Sequence, residues 1–392
     1  MKTPHAICRS LGIAILIFTT GLMGCTHAPK FTPEPESQMV AERLVREASG
    51  KYRFYVDRID LHTNQIVQTT EVPEQPYYLL EIPDGRVIFS FTRSPGTFQK
   101  KLGEITQAGV YKKFMSTTYD SPMPVTVYNN QLFIVEGIHH SLELGLEIAD
   151  LKGKSLSYVV LAKSAMMSPA NIIVTPLTVT MFPLVYYKDA ARADGTKRIS
   201  EEFSLDLSTK KIKTNNTLYY WAESIIAKRR DKKTAFIAPD VDHRISQNSP
   251  NYVIKRVDKV RYPDMVIEAS FPLKDQVHEM AYDPSSQKLY ARMRDGAGIA
   301  VIDAQTNTHL YDLTYAAEAI AYVGQQRMAI SVSNWKMSAT GTPELIEPKL
   351  ILLNTQTDQI VATFEGYYGH IGHDVGLQGW NTTLKTKKEG HP

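Results

Sequence analysis

The stretch Ile302-Asp303-Ala304-Gln305-Thr306-Asn307 joins a short apolar run and an acidic residue to a polar turn, after which a second strand begins. Related stretches, each with an acidic or amide residue before the turn, occupy residues 59–67, 104–110, 148–154, 205–212, 257–260 (the weakest) and 353–361. Their spacing of roughly 44 to 57 residues is the period of four-stranded propeller blades. The spacing therefore predicts an all-β chain, a seven-bladed β-propeller of four-stranded antiparallel blades; six or eight blades also fit it.

A second hairpin lies between successive copies of this unit, most clearly at residues 77–89 and 280–291. Its Pro-Asp-Gly or Asp-Pro-Ser-Ser turn, followed by a strand ending in Tyr or Phe, resembles the YVTN-type propeller repeat. The resemblance covers about 52 to 385. With the strands of a blade named A to D from the axis outward, this hairpin supplies A and B, and the acidic-turn unit supplies C and D.

The two ends of the chain each carry half a blade. The first unit, 54–72, is a C–D unit with no A–B unit before it, and 370–386 resembles an A–B unit with no C–D unit after it. We predict that they form one composite blade, which would close the ring and remove an exposed sheet edge. The propeller domain is predicted over 51–387, followed by a tail at 388–392.

The N-terminus has the features of a leader. Residues 1–24 contain Lys2, Arg9 and an apolar stretch too short to span a bilayer. They end in Leu22-Met23-Gly24-Cys25, which resembles the lipobox of bacterial lipoproteins. The resemblance implies a diacylated Cys25 and, because Thr26 rather than Asp follows, an outer-membrane lipoprotein facing the periplasm or the surface. Residues 25–50 are predicted to form a proline-containing tether and a short amphipathic helix over 39–49.

Composition excludes several functions. The only cysteines are Cys8 and Cys25, so the mature body has no disulfide and no cysteine metal site. The formal net charge is +3 and no basic stripe is present, so nucleic acid binding has no support. Gly-x-Ser-x-Gly, haem-attachment and phosphate-loop motifs are absent from the sequence.

The topology predicts which face of the propeller works. The longest connections, 188–198, 241–252 and 335–348, are B–C loops, and long loops on rigid scaffolds usually carry function. We expect the face formed by the D–A and B–C connections to bind a partner. The candidate binding residues are Trp335, His139, His140 and His243.

Three groups of residues are candidate metal sites, with calcium or zinc as the cofactor. His370 and His373 with Asp374 offer ligands for zinc, and residues 240–244 contain two aspartates and a histidine for calcium binding or acid–base chemistry. For both of these groups, the alternative interpretation is that they are ordinary polar loop residues that bind no metal. Acidic or amide residues also start several A strands and could form a ring at the channel mouth: Glu74, Asn171, Glu223, Glu279, Glu318 and Asp374.

Three functions remain open from the sequence. The first is a non-enzymatic, lipid-anchored scaffold of the cell envelope that binds an envelope protein or a glycan. The second is a metal-assisted hydrolase of lactonase type that uses the acidic channel mouth. The third is a periplasmic redox subunit, since amine dehydrogenase chains share the repeat. Fold does not decide among them.

Overall fold

The computed structural model describes residues 38–378, apart from 50, 95–96, 138–142, 164, 167–171, 175–177, 183, 189–195, 219, 228–233, 243–248, 262–265, 338–342 and 368–376. These residues form seven antiparallel sheets, which are the blades of a β-propeller. Within the described ranges the helical structure is one 3-10 turn, Arg294–Gly296. No helix among these residues is long and apolar enough to cross a membrane.

The strands follow the chain blade by blade. Blades 1 to 3 contain β1 (Gln38–Arg46), β2 (Tyr52–Asp60), β3 (Gln65–Val72); β4 (Gln75–Glu81), β5 (Val87–Ser94), β6 (Thr97–Ile105), β7 (Tyr111–Ser116); β8 (Met123–Tyr128), β9 (Gln131–Glu136), β10 (Glu143–Asp150), β11 (Ser155–Lys163). Blade 4 contains β12 (Ala165–Met166), β13 (Ile172–Val174), β14 (Thr178–Met181), β15 (Leu184–Lys188), β16 (Thr196–Asp206) and β17 (Ile212–Leu218).

Blades 5 to 7 contain β18 (Tyr220–Ala227), β19 (Thr234–Asp242), β20 (Arg256–Arg261), β21 (Val266–Pro272); β22 (Val277–Asp283), β23 (Lys288–Met293), β24 (Ile299–Asp303), β25 (Thr308–Leu313); β26 (Ala317–Tyr322), β27 (Arg327–Met337), β28 (Pro343–Asn354), β29 (Ile360–Glu365). The last strand, β30 (Leu377–Gln378), returns to blade 1. In blade 4 each of the two inner strands is interrupted. The innermost strand consists of β12 and β13, and the next consists of β14 and β15.

The ring closes through a composite blade, as predicted, but the division between the two chain ends differs. Its order is β30, β1, β2, β3, so one strand comes from the C-terminal end and three from the N-terminal end. The pairing of β30 with β1 joins Ala41 to Leu377 and Val40 to Gln378. The sequence had suggested two strands from each end because β1 was assigned to a helix.

The predicted helix over 39–49 is wrong, because residues 39–46 lie in strand β1 and residues 47–49 form a turn. Val40 and Leu44 are spaced as on a helix, but Met39, Val40, Ala41 and Glu42 are buried consecutively. Consecutive burial is expected for a strand with sheet neighbours on both edges and blades on both faces. A short apolar segment does not distinguish such a strand from a helix.

The repeated acidic turn is an Asx turn that joins C to D. The side-chain Oδ1 of Asp60, for example, accepts hydrogen bonds from the backbone N–H groups of His62 (2.9 Å) and Thr63 (2.7 Å). Equivalent bonds are accepted by Asp150, Asp206, Asp303 and Asn354. A short side chain that bonds its own turn in this way favours a tight reversal over strand continuation. These turns and the A–B turns define the turn face; the D–A and B–C connections define the loop face.

One predicted copy of this turn is displaced. Asp258 lies in the middle of β20, fully buried, and its carboxylate accepts hydrogen bonds from Arg256 Nε (2.8 Å) and Ser270 Oγ (2.5 Å). The connection to β21 comes later, after Arg261. The acidic residue here satisfies polar groups inside the sheet instead of forming a turn.

The hydrophobic core lies between neighbouring blades. One cluster joins Phe236 of blade 5 to Met280 and Leu289 of blade 6, and another joins Ala321 of blade 7 to Met39 of blade 1. Further clusters fill the junctions of blades 1 and 2, 2 and 3, 3 and 4, and 6 and 7. Burying apolar surface at these junctions stabilises the ring at roughly 25 cal/mol per Å².

Candidate functional site at the inner strands of the loop face

The inner strands share a β-bulge near the loop face. In β22 the pairing passes from Val277–Met293 to Glu279–Arg292, so His278 has no partner in the ladder. The same one-residue step leaves out Val125 in β8, Glu223 in β18 and Glu318 in β26. In β4 the shift lies between Tyr77 and Leu80. Bulges redirect side chains and are enriched next to functional sites.

The bulge residues His278 and Glu318 of blades 6 and 7 differ in exposure from their neighbours. Each is partly exposed, whereas the residues before and after it are buried. An innermost strand has the central channel at its open edge, so we infer that these two side chains reach the channel near the loop face. Glu223 occupies the corresponding position of blade 5, and its side chain lies outside the described set.

His278 belongs to a charged group with Arg292 and Glu279. Arg292 Nη2 contacts His278 Nδ1, and Arg292 Nε lies 3.4 Å from Glu279 Oε2. Glu279 Oε2 also accepts a hydrogen bond of 2.9 Å from the backbone N–H of Ile320 in blade 7. Burial raises the pKa of Glu279, and the nearby Arg292 opposes that rise. The buried arginine thus connects a junction carboxyl to a channel histidine.

The predicted ring at the channel mouth therefore needs a correction. Glu279 is buried in the junction of blades 6 and 7, and His278 takes the bulge position that Glu223 and Glu318 have in their blades. Glu74 forms an ion pair with Lys101, at 2.8 Å between Oε1 and Nζ. The register of the bulge could not be predicted from the sequence, and a slip of one residue exchanges His278 with Glu279.

The first residue of the cluster predicted over 240–244, Asp240, has a structural role between two blades. Asp240 is buried in β19, and its Oδ1 accepts a hydrogen bond of 2.7 Å from Gln276 Nε2. Arg294 Nη2 lies 3.5 Å from the same oxygen, and Arg294 Nη1 donates to Gln276 Oε1. Asp240 thus ties blade 5 to blade 6. The His243 prediction lies outside the described residues.

The other predicted site residues divide into two groups. Trp335 lies in β27, paired with Leu345, and not in a loop, because the strands β27 and β28 extend beyond the predicted boundaries. Its side chain is outside the described set. The predictions for Cys25, His139, His140, His370, His373 and Asp374 also lie outside the described residues.

Turns on the opposite face bind neighbouring blades. Lys288 Nζ of blade 6 donates to Thr355 O (2.8 Å) and Asp358 Oδ2 (2.9 Å) in the C–D turn of blade 7. Arg86 of blade 2 donates to Leu151 O in the C–D turn of blade 3, at 2.9 Å. These polar groups hold neighbouring blades together at the turn face.

A buried carboxyl pair in blade 3 was missed from the sequence. Glu136, the last residue of β9, and Glu147, within β10, are both buried. Glu136 Oε2 accepts a hydrogen bond of 2.6 Å from the backbone N–H of Tyr119. Burial raises the pKa of Glu136 to about 9, and the neighbouring carboxyl of Glu147 contributes to that rise. In the sequence they stand among strand residues, with no motif to mark them.

Metal ligation has no support from the described residues. Within the part of the chain whose side chains are described, no three His, Cys, Asp or Glu side chains group as metal ligands would. Glu223 and the 370–374 segment are outside that search.

Comparisons with known proteins define the class of fold. No protein-family model matches the chain, and no curated protein matches it. Hydrazine synthase from Kuenenia stuttgartiensis is 11% identical with a TM-score of 0.53, over 83% of this chain and 99% of that one. Dihydro-heme d1 dehydrogenase NirN in complex with DHE is 9% identical with a TM-score of 0.54, over 86% and 75%.

A third solved structure is a putative 6-phosphogluconolactonase from Bacteroides fragilis. It is 14% identical to this chain with a TM-score of 0.51, over 84% of this chain and 98% of that one. At these identities the likenesses show the fold alone. The protein is a seven-bladed β-propeller, and its function must be argued from its own residues.

Proposed function

We propose that this protein is a lipid-anchored propeller of the YVTN-repeat type in the bacterial cell envelope, and that it binds an envelope protein or glycan through the loop face. The supporting observation is the row of bulges on the inner strands, which leaves His278 and Glu318 partly exposed between buried neighbours near the loop face. We place the binding centre at these two residues and the surrounding B–C loops.

The anchoring part of the proposal rests on the sequence of the leader. The lipobox-like Leu22-Met23-Gly24-Cys25 supports lipidation at Cys25, and Thr26 supports an outer-membrane location. Two or three acyl chains on one residue would hold the domain stably at a membrane. Mass spectrometry of the N-terminal peptide from purified envelope tests this part directly: a diacylated Cys25 supports it, and a free thiol contradicts it.

The binding part is tested by crosslinking the full chain in its native envelope and identifying the captured partner. The variant His278→Ala/Glu318→Gln changes the proposed centre, and His62→Ala is the matched control because His62 is an exposed histidine of the turn face. We expect a discrete partner with the wild type and the control, and its loss with the double variant. Equal capture by both variants would place the partner elsewhere.

A metal-assisted hydrolase is the competing function. It would need the carboxylates of the inner strands to converge on a cation, and Glu279 is instead hydrogen-bonded to Ile320 N in a blade junction. Capture of no partner by any form would favour this alternative. Calorimetric titration of the wild type with Ca²⁺ and Zn²⁺, followed by a lactone hydrolysis assay, would then test it. The redox-subunit alternative has no support beyond the fold.

A further inference from the structure

Charge is distributed unevenly around the C–D hairpins of the ring. The hairpin of blade 2, 105–116, contains two lysines and no acid, and those of blades 3 and 4, 150–163 and 206–218, each contain three lysines and one aspartate. The hairpins of blades 6, 7 and 1, in contrast, each contain two acids and neither lysine nor arginine. One arc of the propeller is therefore basic and the opposite arc acidic, although the whole chain is nearly neutral.

Seven lysines of the basic arc lie in the C–D turns or the first residues of the D strands. We call this set the basic rim: Lys112, Lys113, Lys152, Lys154, Lys210, Lys211 and Lys213. All seven are exposed. The two aspartates of these hairpins, Asp150 and Asp206, accept backbone hydrogen bonds within their own turns.

The lysines of the rim differ from the acids of the opposite arc in their pairing. Within the described residues none of the seven forms a salt bridge, whereas Asp358 pairs with Lys288 and Asp312 with Lys274, at 2.9 and 2.8 Å. An exposed cluster of one sign attracts an oppositely charged surface over about a Debye length, roughly 8 Å at physiological ionic strength. The rim is thus a surface for an anionic partner.

Apolar side chains are exposed between these lysines. Val110 ends the C–D turn of blade 2 with 53% of its surface exposed, and Leu156 follows the turn of blade 3 with 46% exposed. Lysines flanking exposed apolar residues are typical of surfaces that lie in a membrane interface, where charges meet headgroups and apolar groups enter the acyl boundary. A soluble polyanion offers nothing to these apolar residues.

The chain enters the propeller on the same face. Gln38, the first residue of β1, pairs with Asp60 at the C–D turn of blade 1. Twelve residues lie between Cys25 and Gln38, so the chain between them spans about 45 Å at most. A lipid on Cys25 would therefore keep the turn face within reach of the bilayer.

We propose that the basic rim docks on the phosphate-bearing headgroups of an anionic membrane surface. The proposal rests on the proposed anchoring at Cys25 for its orientation, and the rim fixes which face meets the membrane. Lys152 and Lys154 approach the phosphates together with Lys210 and Lys211, and Leu156 and Val110 enter the headgroup layer. The loop face with His278 and Glu318 then faces the aqueous compartment, where a partner can reach it.

The experiment measures vesicle binding without the lipid anchor. The full chain with Cys25→Ser is co-sedimented with vesicles of phosphatidylethanolamine and phosphatidylglycerol at three to one, and with phosphatidylcholine vesicles. We expect binding to the anionic vesicles only, with loss of binding in high salt. Because this chain cannot be acylated, the result does not depend on whether Cys25 is lipidated in the cell.

Charge reversal locates the surface. Lys152→Glu/Lys154→Glu should weaken binding to anionic vesicles about tenfold or more, and Lys210→Glu/Lys211→Glu should do the same. The matched control is Lys51→Glu/Lys100→Glu, which makes the same change in net charge at exposed lysines near the loop face. Equal weakening by the control, or equal binding to neutral vesicles, would overturn the proposal. Retention on heparin without vesicle binding would overturn it in favour of a soluble polyanion.

Discussion

The ring of Tyr158 in β11 occupies the space that a side chain on Gly145 of β10 would need. A Cβ built on Gly145 would lie 1.6 Å from Tyr158 Oη and 2.3 Å from its Cζ. The tyrosine thereby packs beside the buried Glu147, with which it is paired across the two strands. Glycine at this position is a packing requirement, because nothing in its backbone conformation demands it.

We expect Gly145→Ala to destabilise the domain by about 1 to 3 kcal/mol, since the added methyl group must displace an aromatic ring. Chemical denaturation of the wild type and the variant measures the change. Tyr158→Ala removes the obstacle, so Gly145→Ala should cost little in that background. An equal cost in both backgrounds would show that the strain lies elsewhere.

The buried carboxyl of Glu42 predicts a stability that falls with rising pH. Burial raises the pKa of Glu42 to about 8, and the hydrogen bond with Gln75 offsets part of that rise. The protonated form is favoured in the folded state, so its contribution is fully present below the unfolded value near 4.5 and is lost as pH rises through 8. The loss between pH 6 and pH 8 is about 2 kcal/mol.

Glu42→Gln should therefore flatten the pH dependence and stabilise the domain at pH 8. Melting temperatures measured from pH 5 to pH 9 test this expectation. The control is Glu268→Gln, because Glu268 is an exposed carboxylate of β21 and its replacement should leave the profile unchanged. A wild-type profile that Glu42→Gln does not alter would assign the pH dependence to other groups, such as Glu136.

The Asx turn of blade 7 predicts a difference between two substitutions at one position. Asn354 Oδ1 accepts hydrogen bonds from the backbone N–H groups of Gln356 (2.9 Å) and Thr357 (3.1 Å). Asn354→Ala removes both and should cost about 1 kcal/mol, whereas Asn354→Asp keeps the acceptor found in the other turns. Denaturation midpoints compare the two. Equal destabilisation would mean that the amide donor matters instead.

The junction of blades 7 and 1 depends on a tyrosine after β29. Tyr367 Oη donates a hydrogen bond of 2.5 Å to the buried Asp57 Oδ2, which Arg43 Nε also contacts at 2.5 Å. Burial and the charge of Asp57 raise the pKa of Tyr367. Tyr367→Phe should cost about 1.5 to 3 kcal/mol, because a bond to a buried charge is lost.

Hydrogen exchange distinguishes this effect from a general loss of stability. Exchange in β1 and β2 should accelerate more than exchange in blades 3 and 6 when Tyr367 is replaced by phenylalanine. Tyr52→Phe is the control, since Tyr52 is 43% exposed and its loss of a hydroxyl should have little effect. Uniform acceleration throughout the ring would contradict a local role for Tyr367.

Local chemistry explains why much of the fold could be predicted. Asp60, Asp206 and Asp303 bond the backbone two and three residues ahead, so each turn is determined by residues that are adjacent in the sequence. The regular spacing of these units indicates the blade count, although the copy at Asp258 forms no such turn. At Val40 and Leu44 the sequence could not distinguish a buried strand from a helix. The spacing of these apolar residues is compatible with both structures.

The candidate site was less predictable, because it depends on register and on distant contacts. A single extra residue in β22 places His278 instead of Glu279 at the bulge, and no local signal specifies that residue. Glu279 is held by Ile320 N from the next blade, 41 residues away in the sequence. Asp258 was misassigned for a related reason: its partner Ser270 belongs to a strand whose register was unknown.

The composite blade also sets the order in which the molecule can fold. Val40 pairs with Gln378, so the inner edge of β1 stays unpaired until a strand that is synthesised after all the other described strands is available. Contacts between such distant residues slow folding, and an unpaired edge is prone to wrong association in the interval. The three N-terminal strands of blade 1 must therefore remain without their fourth strand until the other six blades have been synthesised.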